Sequence, residues 1–231
     1  MPPQPMLSVR RDAAVNAEPI TLRQYPDLSG SISDVIATWS QVECNLGVLL
    51  ARMLGAAARP SMAMYSALSS SAAQMAALQA AADVALSRER LELFGALLIL
   101  VKRAATKRNK IAHWLWGTSV QVANALILLN PDAVHGLHTQ NAEFMAAFKN
   151  GQTVADPSAL PPLDLSEAFV YRQQEFTEIL AEIDEVRSLT VSFALMLVID
   201  EPPNGVQYQM LTNAPQIRME LEKARQRRRN P

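Results

Sequence analysis

Cysteine is nearly absent from this 231-residue chain, where Cys44 stands alone. One thiol excludes an intrachain disulfide framework and any cysteine-rich zinc site. Long apolar runs are missing as well. The two longest, Leu93–Val101 and Leu189–Ile199, fall short of the ~18 residues that a membrane span needs, and Thr190 and Ser192 interrupt the second. Met1 to Asn16 hold no apolar core of the kind a signal peptide carries. Neither sign of charge prevails: 21 Lys and Arg stand against 22 Asp and Glu, so net charge selects no class of partner. There is no glycine-rich phosphate loop, no Gly-x-Ser-x-Gly elbow and no His-Glu-x-x-His pair. These absences predict a cytoplasmic chain with no membrane partner.

What the chain does have is helical period. Ser31 or Ser33 can cap a first helix that runs to about Leu54 and is stopped by Gly55. Along it Ile32, Ile36, Trp39, position 43, Leu46, Leu50 and Met53 recur in alternating steps of four and three, which traces one face. A second helix is expected over Ser61–Leu86, with Pro60 at its start. Its Met62, Met64 and Met75 suit a core or a dimer contact. Ser87 can cap a third helix that continues through Leu91–Trp116 and ends at Gly117, and a fourth spans about Ser166–Ile199 before Pro202-Pro203. The economical architecture is mainly all-α, an up-and-down bundle with a small insertion.

That insertion, 118–164, predicts a short strand at Val122–Leu129 paired with Ala133–His138, a helix over Asn141–Lys149, and a proline-bearing loop over Val154–Asp164. The domain organisation is then a flexible leader at 1–28, a helical domain at 29–200, and a basic tail at 201–231. Within the tail, Gln216–Arg227 reads as a solvated helix that ends in Lys223, Arg225, Arg227, Arg228 and Arg229. It serves either as a solubilising end or as an arm that attracts phosphate.

The third helix carries the most informative stretch. Lys102, Arg103, Lys107, Arg108 and Lys110 place five cations within nine residues, with no acid among them. A solvated helix face usually mixes its signs to gain pairs at four-residue spacing. Such a run therefore requires an anionic counterpart, either phosphate or the acids of the fourth helix (Glu167, Glu175, Glu178, Glu182, Asp184 and Glu185).

Within the run, Arg108-Asn109-Lys110-Ile111-Ala112-His113 resembles the Arg-x(4–6)-His motif of the HEPN superfamily (higher eukaryotes and prokaryotes nucleotide-binding). The resemblance covers about Ser31–Gly117 and the Tyr171–Leu197 helix. It implies a HEPN-type bundle and a metal-independent RNA endonuclease, often a toxin or defence effector. The products would carry a 2′,3′-cyclic phosphate and a 5′-hydroxyl. It also implies a homodimer that joins two motifs in one cleft, and a toxic nuclease would need a neutralising partner such as an antitoxin. No metal or cofactor is implied.

The residue types suit that chemistry in their own right. Metal-free RNA cleavage takes a proton from the ribose 2′-hydroxyl, returns one to the leaving 5′-oxygen, and neutralises charge on the phosphate. An imidazole near its unperturbed range, His113, suits both proton transfers. A guanidinium, Arg108, can grip two phosphate oxygens at once. Asn109 would position the phosphate or the imidazole, while Lys107 and Lys110 would attract substrate. Glu43, central in an otherwise apolar seam, either pairs with Arg108 or His113 or reaches water at the edge of a rotated seam.

Other candidates carry less. His135, His138 and Asp132 make a weak metal signal, Cys44 reads as a buried small residue, and Trp114 and Trp116 read as packing anchors. The alternative function is a non-catalytic dimeric helical protein that binds RNA, a nucleotide or a protein partner.

Overall fold

The computed structural model describes residues 2–10, 14–17, 19–150, 162–202 and 204–229. Among these the chain is mostly helical, with one small sheet. In chain order the elements are β1 (Gln4–Pro5), α1 (Met6–Val9), α2 (Pro26–Met53), α3 (Ala58–Ala67), α4 (Ser71–Ala85), α5 (Arg88–His113), β2 (Leu115–Ser119) and β3 (Val122–Leu129). They continue with α6 (Pro131–Lys149), β4 (Ala168–Tyr171), α7 (Gln173–Val198), α8 (Val206–Asn213) and α9 (Pro215–Arg229). The chain divides into two compact units. The first comprises residues 1–34 and 109–178, and the second comprises 35–108 and 179–231.

The first unit is built on an antiparallel sheet of order β1-β4-β3-β2. Strand β3 is buried along most of its length because both faces are covered. Ala125, Ile127 and Leu129 join Ala168, Val170, Met6 and Leu165 in one apolar cluster. On the alternate positions the register sets Leu126 against Tyr171 and Leu128 against both Trp116 and Phe169. Near the β2–β3 turn the register shifts between Gly117 and Ser119. Asn124 takes a left-handed φ of 51° there, a conformation asparagine tolerates better than most residues.

Residues expected to form a flexible leader instead tie down this sheet. β1 pairs with β4, and Asn16 exchanges two backbone hydrogen bonds of 2.8 Å with Thr118 of β2. Gly117 is required at this crossing, since a Cβ would stand 2.7 Å from the Asn16 carbonyl oxygen.

The expected hairpin is also corrected. Val122–Leu129 pairs with Leu115–Ser119, so the third helix stops at His113 rather than Trp116. The partner expected for that strand, Ala133–His138, lies within α6. Asn130 caps this helix by accepting from the Asp132 N–H, and Pro131 occupies its first position. The Val154–Asp164 loop lies mostly outside the described residues. The fourth helix gives up its first turns to β4. It starts at Gln173, where Glu175 accepts from the Arg172 N–H at 2.9 Å in the manner of a capping box.

The second unit has helical bundle character. Phe94, Leu97 and Val101 of α5 and Ile183, Phe193 and Met196 of α7 are buried, and the rings of Phe94 and Phe193 lie 5.5 Å apart. The expected second helix is two, because Leu68 leaves helical backbone and Ser70 caps α4 by accepting from the Ala73 N–H. Helix α2 begins at Pro26, earlier than a Ser31 or Ser33 cap would set. Those hydroxyls instead donate to the carbonyls of Asp27 and Ser29, one turn back. The tail is helical in α8 and α9 after a turn closed by Gly205 N–H donating to the Pro202 carbonyl.

Candidate functional site

Arg108, Asn109, Lys110 and His113 occupy the last two turns of α5. At ~100° per residue, Asn109 and His113 lie about 40° apart around the axis, whereas Arg108 and His113 lie about 140° apart. One helix therefore presents the amide and the imidazole on one side and the guanidinium well round from them. His113, the last helical residue, is exposed to solvent, and Arg108, Asn109 and Lys110 are half-buried.

The end of α5 is fixed by aromatic residues. Trp116 Nε1 donates to the Ile111 carbonyl at 3.2 Å, which satisfies one of the acceptors that every helix end leaves open. The Trp116 ring packs on Tyr171 and Phe176 at centroid distances of 5.4 and 5.7 Å. Trp114 sits 6.1 Å from Phe169, and the Lys110 ammonium lies over both rings, 4.5 and 4.9 Å from their centroids. Packing is thus the observed role of both tryptophans. Lys110 is held by the quadrupoles of two rings, an attraction of about 0.5–1 kcal/mol per ring at exposed sites. Burial pushes the Tyr171 hydroxyl up to about 12, with the neighbouring Glu175 charge adding to the effect, so this phenol stays protonated at neutral pH.

Two further cations of the run find acids within the second unit. Lys107 pairs with Glu182 of α7, and Arg103 pairs with Glu220 of α9 at 2.8 Å. Glu185, near Glu182, has its carboxyl raised, first by burial and then by the Glu182 charge, against an opposing hydrogen bond from Gln216. Internal neutralisation by α7 accounts for Lys107, which sequence reasoning had set out as a phosphate contact. The sequence signal for it was the acid-rich spacing of α7. The Glu220 partnership had no comparable signal, because it depends on where the tail folds back.

Glu43 stands on α2 at the edge of its apolar seam. Ile32, Trp39, Leu46, Leu50 and Met53 of the expected seam are buried, and Val35, Val42 and Leu49 beside it are fully buried too. The face is thus centred away from Glu43, which is half-buried, and Ile36 is only partly covered. The Glu43 carboxylate accepts from Trp39 Nε1, one turn earlier, at 2.7 Å. It also raises the pKa of the Tyr65 phenol, whose chief cause of elevation is burial. The Tyr65 hydroxyl is buried without a hydrogen-bond partner, and sequence reasoning had no signal for its approach to Glu43.

Cys44, beyond Glu43 on the side away from Val42, is exposed rather than buried. His135 and His138 are exposed on α6. Among the described residues, no group of three or more His, Cys, Asp or Glu side chains could hold a metal ion, and no helix is long and apolar enough to cross a membrane. No family model, curated protein or solved structure matches the chain.

Proposed function

We propose that this chain is a cytoplasmic, metal-independent RNA endonuclease of HEPN type, acting as a toxin or defence effector. The observation that carries the reading is an exposed imidazole at the end of α5, five residues after an arginine and on the same face as Asn109. In the proposed reaction His113 takes the proton from a ribose 2′-hydroxyl, whose oxygen attacks the adjacent phosphorus. The bond to the 5′-oxygen breaks, that oxygen is protonated by the imidazolium, and a cyclic phosphate and a 5′-hydroxyl result. Arg108 neutralises the charge that develops on the phosphate.

The angular separation of Arg108 and His113 favours a homodimer in which the guanidinium of one copy and the imidazole of the other share a phosphate. Lys110 supports the field from its aromatic seat. Lys107, paired with Glu182, contributes less to substrate attraction than its place in the sequence implies. Restraint by a neutralising protein belongs to the same reading.

Incubation with total RNA in EDTA tests the proposal. The parent is expected to give fragments with 2′,3′-cyclic phosphate ends, and an Arg108→Ala/His113→Ala variant to be slower by at least about 100-fold. Equal cleavage by both proteins overturns it. The second reading, a non-catalytic dimer that binds RNA, a nucleotide or a protein, is favoured by the internal neutralisation of Arg103 and Lys107. Binding without cleavage by both proteins would establish it.

A further inference from the structure

Helices α5 and α9 of the second unit enclose a groove of about 380 Å³ that the reading above does not use. Leu91, Gly95, Ala96 and Ile99 of α5 and Leu221 and Ala224 of α9 form its floor. Leu91, Gly95 and Ile99 are spaced by four, Ala96 lies beside them, and Leu221 and Ala224 are spaced by three, so the floor is formed by one face of each helix. Ile99 remains 40% exposed, and Ala224 is exposed as well. A pair of faces this apolar ordinarily closes on a third element.

The rim is cationic. Arg88, Arg225 and Arg228 line the groove, with Arg88 and Arg228 side chains 88% and 59% exposed. One carboxylate, Glu92, answers two of the three, divided between Arg228 at 2.7 Å and Arg88 at 3.6 Å. Glu220, the other acid lining the groove, is already shared by Arg103 and Lys223. Guanidiniums thus outnumber available carboxylates along a chain whose total charge is nearly balanced.

We propose that this groove docks an acidic amphipathic helix of a partner protein. Charge complementarity selects the sign, since each surplus guanidinium can take a carboxylate in a forked pair. The floor selects the secondary structure. Gly95, Ala96 and Ala224 let a third backbone come close, and Ile99, Leu91 and Leu221 meet apolar anchors at helical spacing, the helix-in-groove mode. The lining contains no aromatic ring on which a nucleobase could stack, so the floor suits a peptide better than single-stranded RNA. The proposal is independent of the ribonuclease reading, because none of these residues belongs to the end of α5.

The test uses the full chain and a labelled helical peptide about five turns long, with Leu along one face and Glu elsewhere, followed by fluorescence anisotropy. Its controls are the same peptide with Lys for Glu and a single-stranded RNA of similar length. The acidic peptide is expected to bind and the Lys peptide not to. Arg225→Glu/Arg228→Glu should weaken binding roughly tenfold or more. Ala224→Trp, which fills the floor and leaves every rim charge in place, should weaken it by a similar factor. Unchanged far-UV circular dichroism shows that both variants fold. Three outcomes overturn the proposal: an acidic-peptide Kd above about 1 mM, indifference to Ala224→Trp, or RNA binding tighter than the peptide and lost in the Arg variant. The last would assign the surface to nucleic acid. RNA cleavage by these variants is measured separately, so failure of the groove leaves the reading of His113 intact.

Discussion

Two cation-rich stretches, Lys102–Lys110 on α5 and Lys223–Arg228 on α9, look alike in sequence and differ in what surrounds them. On α5, Arg103 and Lys107 each meet a carboxylate from another helix, and Lys110 rests on two aromatic rings. On α9 the acids are divided: Glu220 serves Lys223 as well as Arg103, and Glu92 serves Arg228 as well as Arg88. The density of positive charge along a chain therefore says little about the field offered to a ligand. The acids that tertiary structure brings alongside decide it, and by that measure α9 is the more available surface.

The sharpest way to break the comparison is to remove Glu220, whose side chain is only 6% exposed and which two cations share. Glu220→Ala is expected to cost about 1–3 kcal/mol in urea unfolding, because both cations lose their common acceptor in a partly dry setting. A loss below about 0.5 kcal/mol would mean that α5 is not anchored through this carboxylate.

Acid titration reads the same group. Hydrogen bonds from Lys223 and then Arg103 hold the Glu220 carboxyl below its usual range near 4.5. Between the two values the unfolded chain binds the extra proton, so this contribution is present above about pH 4.5 and is lost as pH falls through the lowered folded value. Glu220→Gln should flatten that part of the stability–pH curve; an unaltered slope would exclude the effect.

A smaller change is expected from Lys107→Met. Glu182 then lacks its counter-ion, and Glu185, already raised by burial and by Glu182, should titrate at still higher pH in carbon NMR. The stability loss at neutral pH should be about 0.5–1 kcal/mol and should shrink as the carboxyls are protonated on acidification. RNA cleavage should fall by less than about threefold, against the large loss expected for Arg108→Ala/His113→Ala.

The smallest expected effect is that of Glu92→Ala. Its partners are mostly solvated, so stability should change by at most about 0.5 kcal/mol. Binding of the acidic peptide should nevertheless tighten a few-fold, since the groove loses its chief internal competitor.

Much of the helical framework was legible because apolar residues at steps of three and four mark a buried face whatever it packs against. Helices α2, α5 and α7 follow from that pattern, whereas the strand at Val122–Leu129 follows from its compact apolar run ahead of Asn130-Pro131-Asp132. The sheet was not legible as a sheet. Leu115 and Trp116 continue the α5 pattern up to Gly117, and Ala168–Tyr171 runs into α7, so the start of one short strand and the whole of the other read as helix ends. Only pairing with β3 distinguishes them, and pairing is a long-range property.

In the site, the placement of Arg108, Asn109 and His113 on one helix was readable from spacing alone. The partner of Glu43 was within reach too, since Trp39 lies four residues before it. The widening of the buried α2 face to include Val35, Val42 and Leu49 was not. These residues form an apolar row of their own, and whether a face takes in a second row rests on what lies opposite. Cys44 was read as buried from its residue type alone, and it falls on the solvent side of that face.

The contacts of Gln4–Pro5 and Asn16 with the sheet have a consequence for handling the protein. The first pair lies against β4 and Asn16 lies against β2, so they occupy the two outer margins of the β4-β3-β2 ribbon. A margin without a neighbour is a row of open donors and acceptors on which a foreign strand can grow. Trimming the amino terminus back past Asn16 would bare both at once. The shortened protein, which loses α1 but keeps α2 to α9, would then be prone to join edge to edge through its sheets into aggregates.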